Sequence, residues 1–239
     1  MLSEHTRSII GLAWARMLGL EDSALMGPPP GRRIEVADDG AATVTFVRLF
    51  GHSIAYGPAE VLAAARRLQD EELELETVLL DVVRRASPGA RSLGEAHLLY
   101  AEEPPELAPA EYASVSFEPE HLDSLRRACP ADDVAAAGLT EPDWAVSLIA
   151  EGPGPGEDAV AAAGREEWLH VLAQIGVLTR PDRRGMGLGR YIAAVAAEEA
   201  FADGLIPQWR AAAESPGSLR LGLSLGFEQA GSQTTVALA

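Results

Sequence analysis

The apolar positions of this chain change period several times, and each change marks an element. From Ile9 to Leu20 they recur at helical spacing, with Arg16 among them, which predicts a short amphipathic helix. Gly27, Pro28, Pro29, Pro30 and Gly31 end it, because proline removes amide donors and collides with a continuing helix. Residues 32–57 read as short strands with a turn at Asp38, Asp39 and Gly40. Helical stretches follow at 57–70, opened by Pro58, and at 72–86, which stops at Ser87, Pro88 and Gly89. Residues 90–103 read as a strand, and 102–109, with Pro104, Pro105 and Pro109, is the most linker-like stretch.

The second half opens with a predicted strand at 111–117 and a helix at 119–130. Residues 131–144 are less regular, and 149–158 alternates glycine and proline as a loop does. The strongest signal comes next. Val171, Leu172, Ile175, Val177 and Leu178 form an extended apolar strand with Gln174 and Gly176 in mid-run, and Leu188, Ile192 and Val195 then recur as a helical stripe that stops at Gly204. A strand at 206–215, a helix at 217–226 and a last strand at 233–239 complete the pattern. Strands alternating with helices predict an α/β fold with a mixed sheet. The expected division is a helical segment at 1–30, an accessory α/β region at 31–105 and one domain at 110–239.

Composition narrows the chemistry. A hydrophobic fraction of 47% over 239 residues, with a mean hydropathy of +0.03, supports a folded core. Nineteen Lys plus Arg against 36 Asp plus Glu leave a formal net charge of -17. Such a surface repels nucleic acid and anionic lipid and attracts cations, so an anionic cofactor needs a local exception. Cys129 is the only cysteine, which excludes an intramolecular disulfide and a cysteine-based metal cluster. No metal site is expected, and a reducing, cytoplasmic setting fits. The first thirty residues lack the basic, apolar and cleavage regions of a signal peptide. No stretch is apolar for long enough to cross a bilayer.

The local exception is TRPDRRGMGLGR, between the apolar strand and the striped helix. Arg180, Arg183, Arg184 and Arg190 flank it, with Asp182 opposing them. A helix start offers unpaired amides and the positive end of the peptide dipoles, and Gly185, Gly187 and Gly189 let the main chain approach a phosphate. A Walker loop needs Gly-Lys followed by Ser or Thr, which is absent. A dinucleotide fingerprint needs a third glycine where Arg190 stands. The remaining reading is a coenzyme A pyrophosphate site, with Met186 serving as spacing.

On these residues the chain resembles the Gcn5-related N-acetyltransferase (GNAT) superfamily. Its phosphate motif is met by Arg184, Gly187 and Gly189, AQIGVLTRP resembles its fourth strand, and SPGSLRLGLSLGF resembles its next block through Ser218, Gly226 and Phe227. The resemblance runs from Tyr112 to the end and covers the first hundred residues poorly. Those fit a bacterial member with an extra N-terminal α/β region, or a degenerate copy of the same fold. What it implies is an acyl-CoA N-acyltransferase fold with a mixed, splayed sheet, and an enzyme moving an acetyl group from acetyl-CoA to a primary amine by direct attack in a ternary complex. The alternative is a non-catalytic acyl-CoA-binding sensor or partner-binding protein.

The resemblance also implies roles. The amide nearest Val177 would polarise the thioester carbonyl, with Gly176 loosening the strand as a bulge. Amides of Gly185, Gly187, Leu188, Gly189 and Arg190 would meet the pyrophosphate, joined by Arg184, and Thr179, Ser215 and Ser218 complete the cofactor set. Candidate general bases are Glu166 and Glu167 before the strand, His170 inside it, and Glu214 at the end of the fifth strand. Two residues depart from the family pattern. Ser215 stands where an asparagine is frequent, and Gly222 stands where many members place a tyrosine as general acid. Protonation of the thiolate then falls to water, Ser218 or Ser224. Trp144, Trp168 and Trp209 are either acceptor-pocket walls or core anchors, and the GPGPGED loop either closes over substrate or is a surface excursion. The acceptor is a small-molecule or peptide amine, and a homodimer fits general expectation.

Overall fold

Ser3 opens the first helix, α1 (Glu4–Met17), by accepting the Thr6 amide on its side-chain oxygen, with Glu4 in the first turn and Arg16 in the last. Ile10, Ala13 and Trp14 are its buried stripe. The computed structural model describes residues 1–106, 113–150 and 158–239, which form two units. Residues 107–112 and 151–157 lie outside the described residues. With them go the end of the predicted linker, the start of the strand predicted at 111 and the GPGPGED loop as far as Glu157.

The first unit comprises Met1–Tyr100, Arg210–Leu223 and Glu228–Ala239. Its strands are β1 (Ile34–Ala37), β2 (Thr43–Leu49), β3 (His52–Gly57), β4 (Arg91–Tyr100) and β10 (Glu228–Ala237), in the spatial order β1-β3-β2-β10-β4. β10 runs antiparallel between β2 and β4. The predicted turn at Asp38–Gly40 forms, and Asp39 Oδ1 also accepts the Ala59 amide at 2.9 Å at the start of α2 (Ala59–Ala65). α2, α3 (Asp70–Leu73) and α4 (Glu76–Arg84) close Val61, Leu73, Leu79 and Val83 over Phe46, Ala55 and Val236. α8 (Pro216–Ser224) begins in this unit. Residues 110–239 are thus divided by strand pairing: β10 is taken up by strands of the first hundred residues.

The second unit comprises Ala101–Trp209 and Ser224–Phe227. It holds β5 (Ala113–Ser116), α5 (Pro119–Ala128), α6 (Ala131–Ala136), β6 (Trp144–Ala150), β7 (Ala159–Trp168), β8 (Leu172–Thr179), α7 (Leu188–Ala202) and the first part of β9 (Ile206–Ala212). The order is β9-β8-β7-β6-β5, antiparallel except for the parallel pair β8 and β9. That parallel register runs from Leu172 opposite Ile206 to Ile175 opposite Trp209 and stops, while β8 stays paired with β7 as far as Thr179. The last four residues of β8 therefore run on without β9.

Side chains on alternate residues fix the two faces of this sheet. Leu122 and Leu125 of α5 and Val134 of α6 cover Ala162 and Leu178 on one face, and Ala200 of α7 covers Ala173 on the other. Three elements here differ from the sequence expectation. α6 and β6 occupy stretches that read as irregular or went unassigned, and β7 is a strand built on AVAAAG. His170 is not inside a strand. It lies in the turn between β7 and β8, where Leu169 and His170 have φ of 55° and 54°. No helix among the described residues is long and apolar enough to cross a membrane.

Candidate functional site

The loop between β8 and α7 is built by two left-handed glycines and one packed one. Gly185 (φ 78°) and Gly187 (φ 81°) adopt a backbone that side chains rarely tolerate, and a Cβ at either would meet nothing within 4 Å. Gly187 is the N-cap of α7 and supplies no side-chain cap, and Tyr191 N donates to Gly187 O at 3.1 Å as the first helical bond. The amides of Leu188, Gly189 and Arg190 therefore have no partner among the described residues. They gather at the positive end of a fifteen-residue helix. Gly189 serves a different purpose: its Cβ would lie 3.0 Å from Thr179 Oγ1 and 3.6 Å from Val177 Cγ1, so it lets α7 approach the end of β8.

The arginines around the loop are paired, not free. Arg180 forms a two-pronged bond to Asp182 at 2.8 and 2.7 Å, which holds the Asp182 carboxyl below the usual carboxylate range. Arg184 donates through Nε to Thr179 O at 3.2 Å and through Nη2 to Asp133 Oδ2 at 2.6 Å. Arg190 reaches Ser224 O at 3.3 Å. Cys129 lies near the same arginines, and burial raises its thiol pKa although Arg184 acts the other way.

Gly176 is not a bulge. The register of β7 and β8 is regular through it, and Gly176 stands opposite Gly164. The reason for the glycine is close approach: a Cβ there would lie 1.7 Å from the Ala137 carbonyl oxygen. Val177 and Thr179 project to the α7 side, next to Gly189. The fold thus brings Val177, Thr179, Arg184, Gly185, Gly187, Leu188, Gly189 and Arg190 together at one end of β8.

The acid–base candidates are spread out. Glu166 pairs with Gln174 and Glu167 with Ala173, roughly 10 to 14 Å along the strand from Val177. Glu167 Oε1 accepts from the buried Arg165 at 3.1 Å, and its Oε2 lies 3.8 Å from His170 Nδ1. Glu166 is exposed and has no ion-pair partner among the described residues. His170 is 96% exposed at the far end of the hairpin. Glu214, Ser215 and Ser218 belong to the first unit. Glu214 is exposed in the turn after β9, and Ser215 O accepts the Ser218 amide at 3.0 Å at the start of α8. Gly222 is buried in α8.

Trp209 is a core anchor, 3% exposed and edge-on to Phe227 at 5.8 Å. Trp144 packs edge-on to Phe117 and carries the Arg165 guanidinium 5.1 Å from its ring centre. Trp168 is half-buried. Two residues escaped sequence reasoning. Asp133 contacts Arg184 from 51 positions away, and Gly164 is significant only once Gly176 is known to face it. Among the described residues no group of His, Cys, Asp and Glu is placed to hold a metal ion.

Residues 156–235 match the family described as GNAT acetyltransferase. The matched segment includes β8, the loop after it and α7, and leaves the first 155 residues outside the match. The fold of the chain is shared with a GCN5-related N-acetyltransferase-like protein from Streptococcus suis, 16% identical, over 85% of this chain and 87% of that one with a TM-score of 0.52. A GNAT-family protein from Novosphingobium aromaticivorans is similar over 64% of this chain and 69% of its own, at 22% identity and a TM-score of 0.46. A protein from Salmonella typhimurium solved with its cofactor acetyl-CoA is similar over 54% of this chain and 94% of its own, at 14% identity and a TM-score of 0.39. No curated protein matches the chain.

Proposed function

We propose that this protein is a GNAT acetyltransferase that transfers an acetyl group from acetyl-CoA to a primary amine by direct attack in a ternary complex. The observation that carries the reading is the loop from Arg184 to Arg190, whose partner-free amides open α7 beside Val177 within the segment that matches the family. Its donors suit the cofactor: amides of Gly185, Gly187, Leu188, Gly189 and Arg190 would hold the pyrophosphate, and the Arg184 guanidinium would supply a fixed positive charge. Acetyl-CoA contributes a thioester whose carbonyl carbon is open to attack. The amide nearest Val177 would stabilise charge developing on that carbonyl oxygen. The attacking amine must be neutral, and Glu166, free of a cationic partner among the described residues, would take its proton through water. With Gly222 in place of a tyrosine, the departing thiolate would be protonated from solvent. The net charge of -17 favours a cationic acceptor.

The test is release of free thiol from acetyl-CoA in the presence of polyamines, aminoglycosides and amino-terminal peptides, with the acetylated amine identified by mass spectrometry. Thiol release that needs an amine supports the transferase. Binding of acetyl-CoA without turnover on any amine assigns the sensor reading instead.

A further inference from the structure

The ion pair between Arg184 and Asp133 joins the loop to α6. Two of the arginine's donors are already used, Nε on Thr179 O and Nη2 on Asp133 Oδ2. Asp133 lies in the first turn of a six-residue helix whose N-cap, Pro130, gives no side-chain cap. Such a helix is too short to persist alone and depends on tertiary ties. Val134 ties it to the core, and Arg126 ties the chain beyond it by donating to Leu139 O and Thr140 O. The Asp133 pair is the tie on its first turn. Just past its last turn, the Ala137 carbonyl rests on Gly176, next to Val177.

We infer that Asp133 competes with the cofactor's pyrophosphate for Arg184, so that binding acetyl-CoA exchanges one anion for the other and releases the first turn of α6. The inference rests on the coenzyme A reading of the loop. Both side chains are well exposed, 51% for Arg184 and 37% for Asp133, and an ion pair left in water contributes little. A pyrophosphate offers the same guanidinium several charged oxygens while meeting the α7 amides and the helix dipole, so it wins the exchange. Cofactor binding thereby loosens the segment lying over the β7–β8 face before an acceptor arrives.

Calorimetric titration of acetyl-CoA into wild type, Asp133→Asn, Arg184→Gln and the double variant tests this, with thermal melts confirming that each folds. Asp133→Asn is expected to tighten binding by about two- to five-fold, the range that a weak ion pair allows. In the Arg184→Gln background the same change is expected to shift affinity less than about twofold, because the competitor then has nothing to hold. Hydrogen exchange on the unmutated protein is the independent readout: amides from Val134 to Ala137 should exchange faster once acetyl-CoA is bound. Weaker binding by Asp133→Asn, an equal gain in both backgrounds, or slower or unchanged exchange in α6 would each overturn the inference while leaving the cofactor site standing. A folded wild type that binds no acetyl-CoA removes the coenzyme A reading and this inference with it.

Discussion

Gly164 and Gly176 stand directly opposite each other on β7 and β8, and the chain between Ala137 and Trp144 lies on both. The pair forms a bare slot in the sheet into which the connection from α6 to β6 settles. A Cβ at Gly176 would meet the Ala137 carbonyl at 1.7 Å, and one at Gly164 would meet Leu139 Cδ2 at 2.5 Å and Trp144 O at 3.0 Å.

Alanine at Gly176 must displace backbone, so Gly176→Ala should cost about 3 kcal/mol or more, at or above the usual range for overpacking. Gly164→Ala should cost about 1–2 kcal/mol, because the flexible end of Leu139 can turn aside. Urea unfolding of the two variants measures the difference. Equal midpoints would contradict a slot sized by backbone contact.

Gly189 is held small by Thr179 Oγ1 alone at close range. Gly189→Ala should leave stability nearly unchanged, since the helix-propensity gain of about 1 kcal/mol is offset by the contact. In a Thr179→Ala background the same change should stabilise by roughly 0.5–1 kcal/mol. Melting curves of the four proteins settle it, and a loss in the double variant would speak against this packing.

The turn at Leu169 and His170 uses two residues poorly suited to positive φ. Replacing them by Asn and Gly should stabilise the hairpin by about 1 kcal/mol. Under the proposed function acetyl transfer should persist, because His170 is roughly 20 Å along the strand from Val177. A variant that is more stable but inactive would restore His170 as a base.

Asp70 governs part of the acid response. Burial alone would raise its pKa, but hydrogen bonds from Ser53 and Arg33 outweigh burial and hold it below its ordinary value. Arg33 is itself bound to Asp70 at 2.8 Å and to Ala65 O and Leu68 O. A folded pKa below the unfolded one gives stability that is full above about pH 4 and lost as pH falls through the folded value. Stability measured against pH should therefore drop less steeply below about pH 4 in Asp70→Asn than in wild type. Parallel curves would contradict this.

The parts of the fold written in local pattern were legible. The stripe of Leu188, Ile192 and Val195 and the glycines before it locate α7 and its loop, because period and backbone freedom are properties of neighbours. β7 was not legible: Ala159 to Ala163 are all buried, so alternation is lost, and alanine reads as a helix former. His170 seemed to continue a strand because its turn carries no glycine or asparagine. A glycine within a strand marks either a bulge or a close neighbour, and only the fold shows that Ala137 is that neighbour for Gly176. The insertion of β10 between β2 and β4 and the reach of Asp133 to Arg184 are long-range pairings that no local window contains.

The most direct measurement is calorimetric titration of acetyl-CoA into the wild-type protein and into Gly187→Val. Gly187 has open space around it but a φ of 81°, so a branched side chain should distort the α7 start and leave the core alone. Micromolar binding by wild type that is lost in a folded Gly187→Val is the expected result. Undetectable binding by wild type, or equal binding by both, would contradict a cofactor site at this loop.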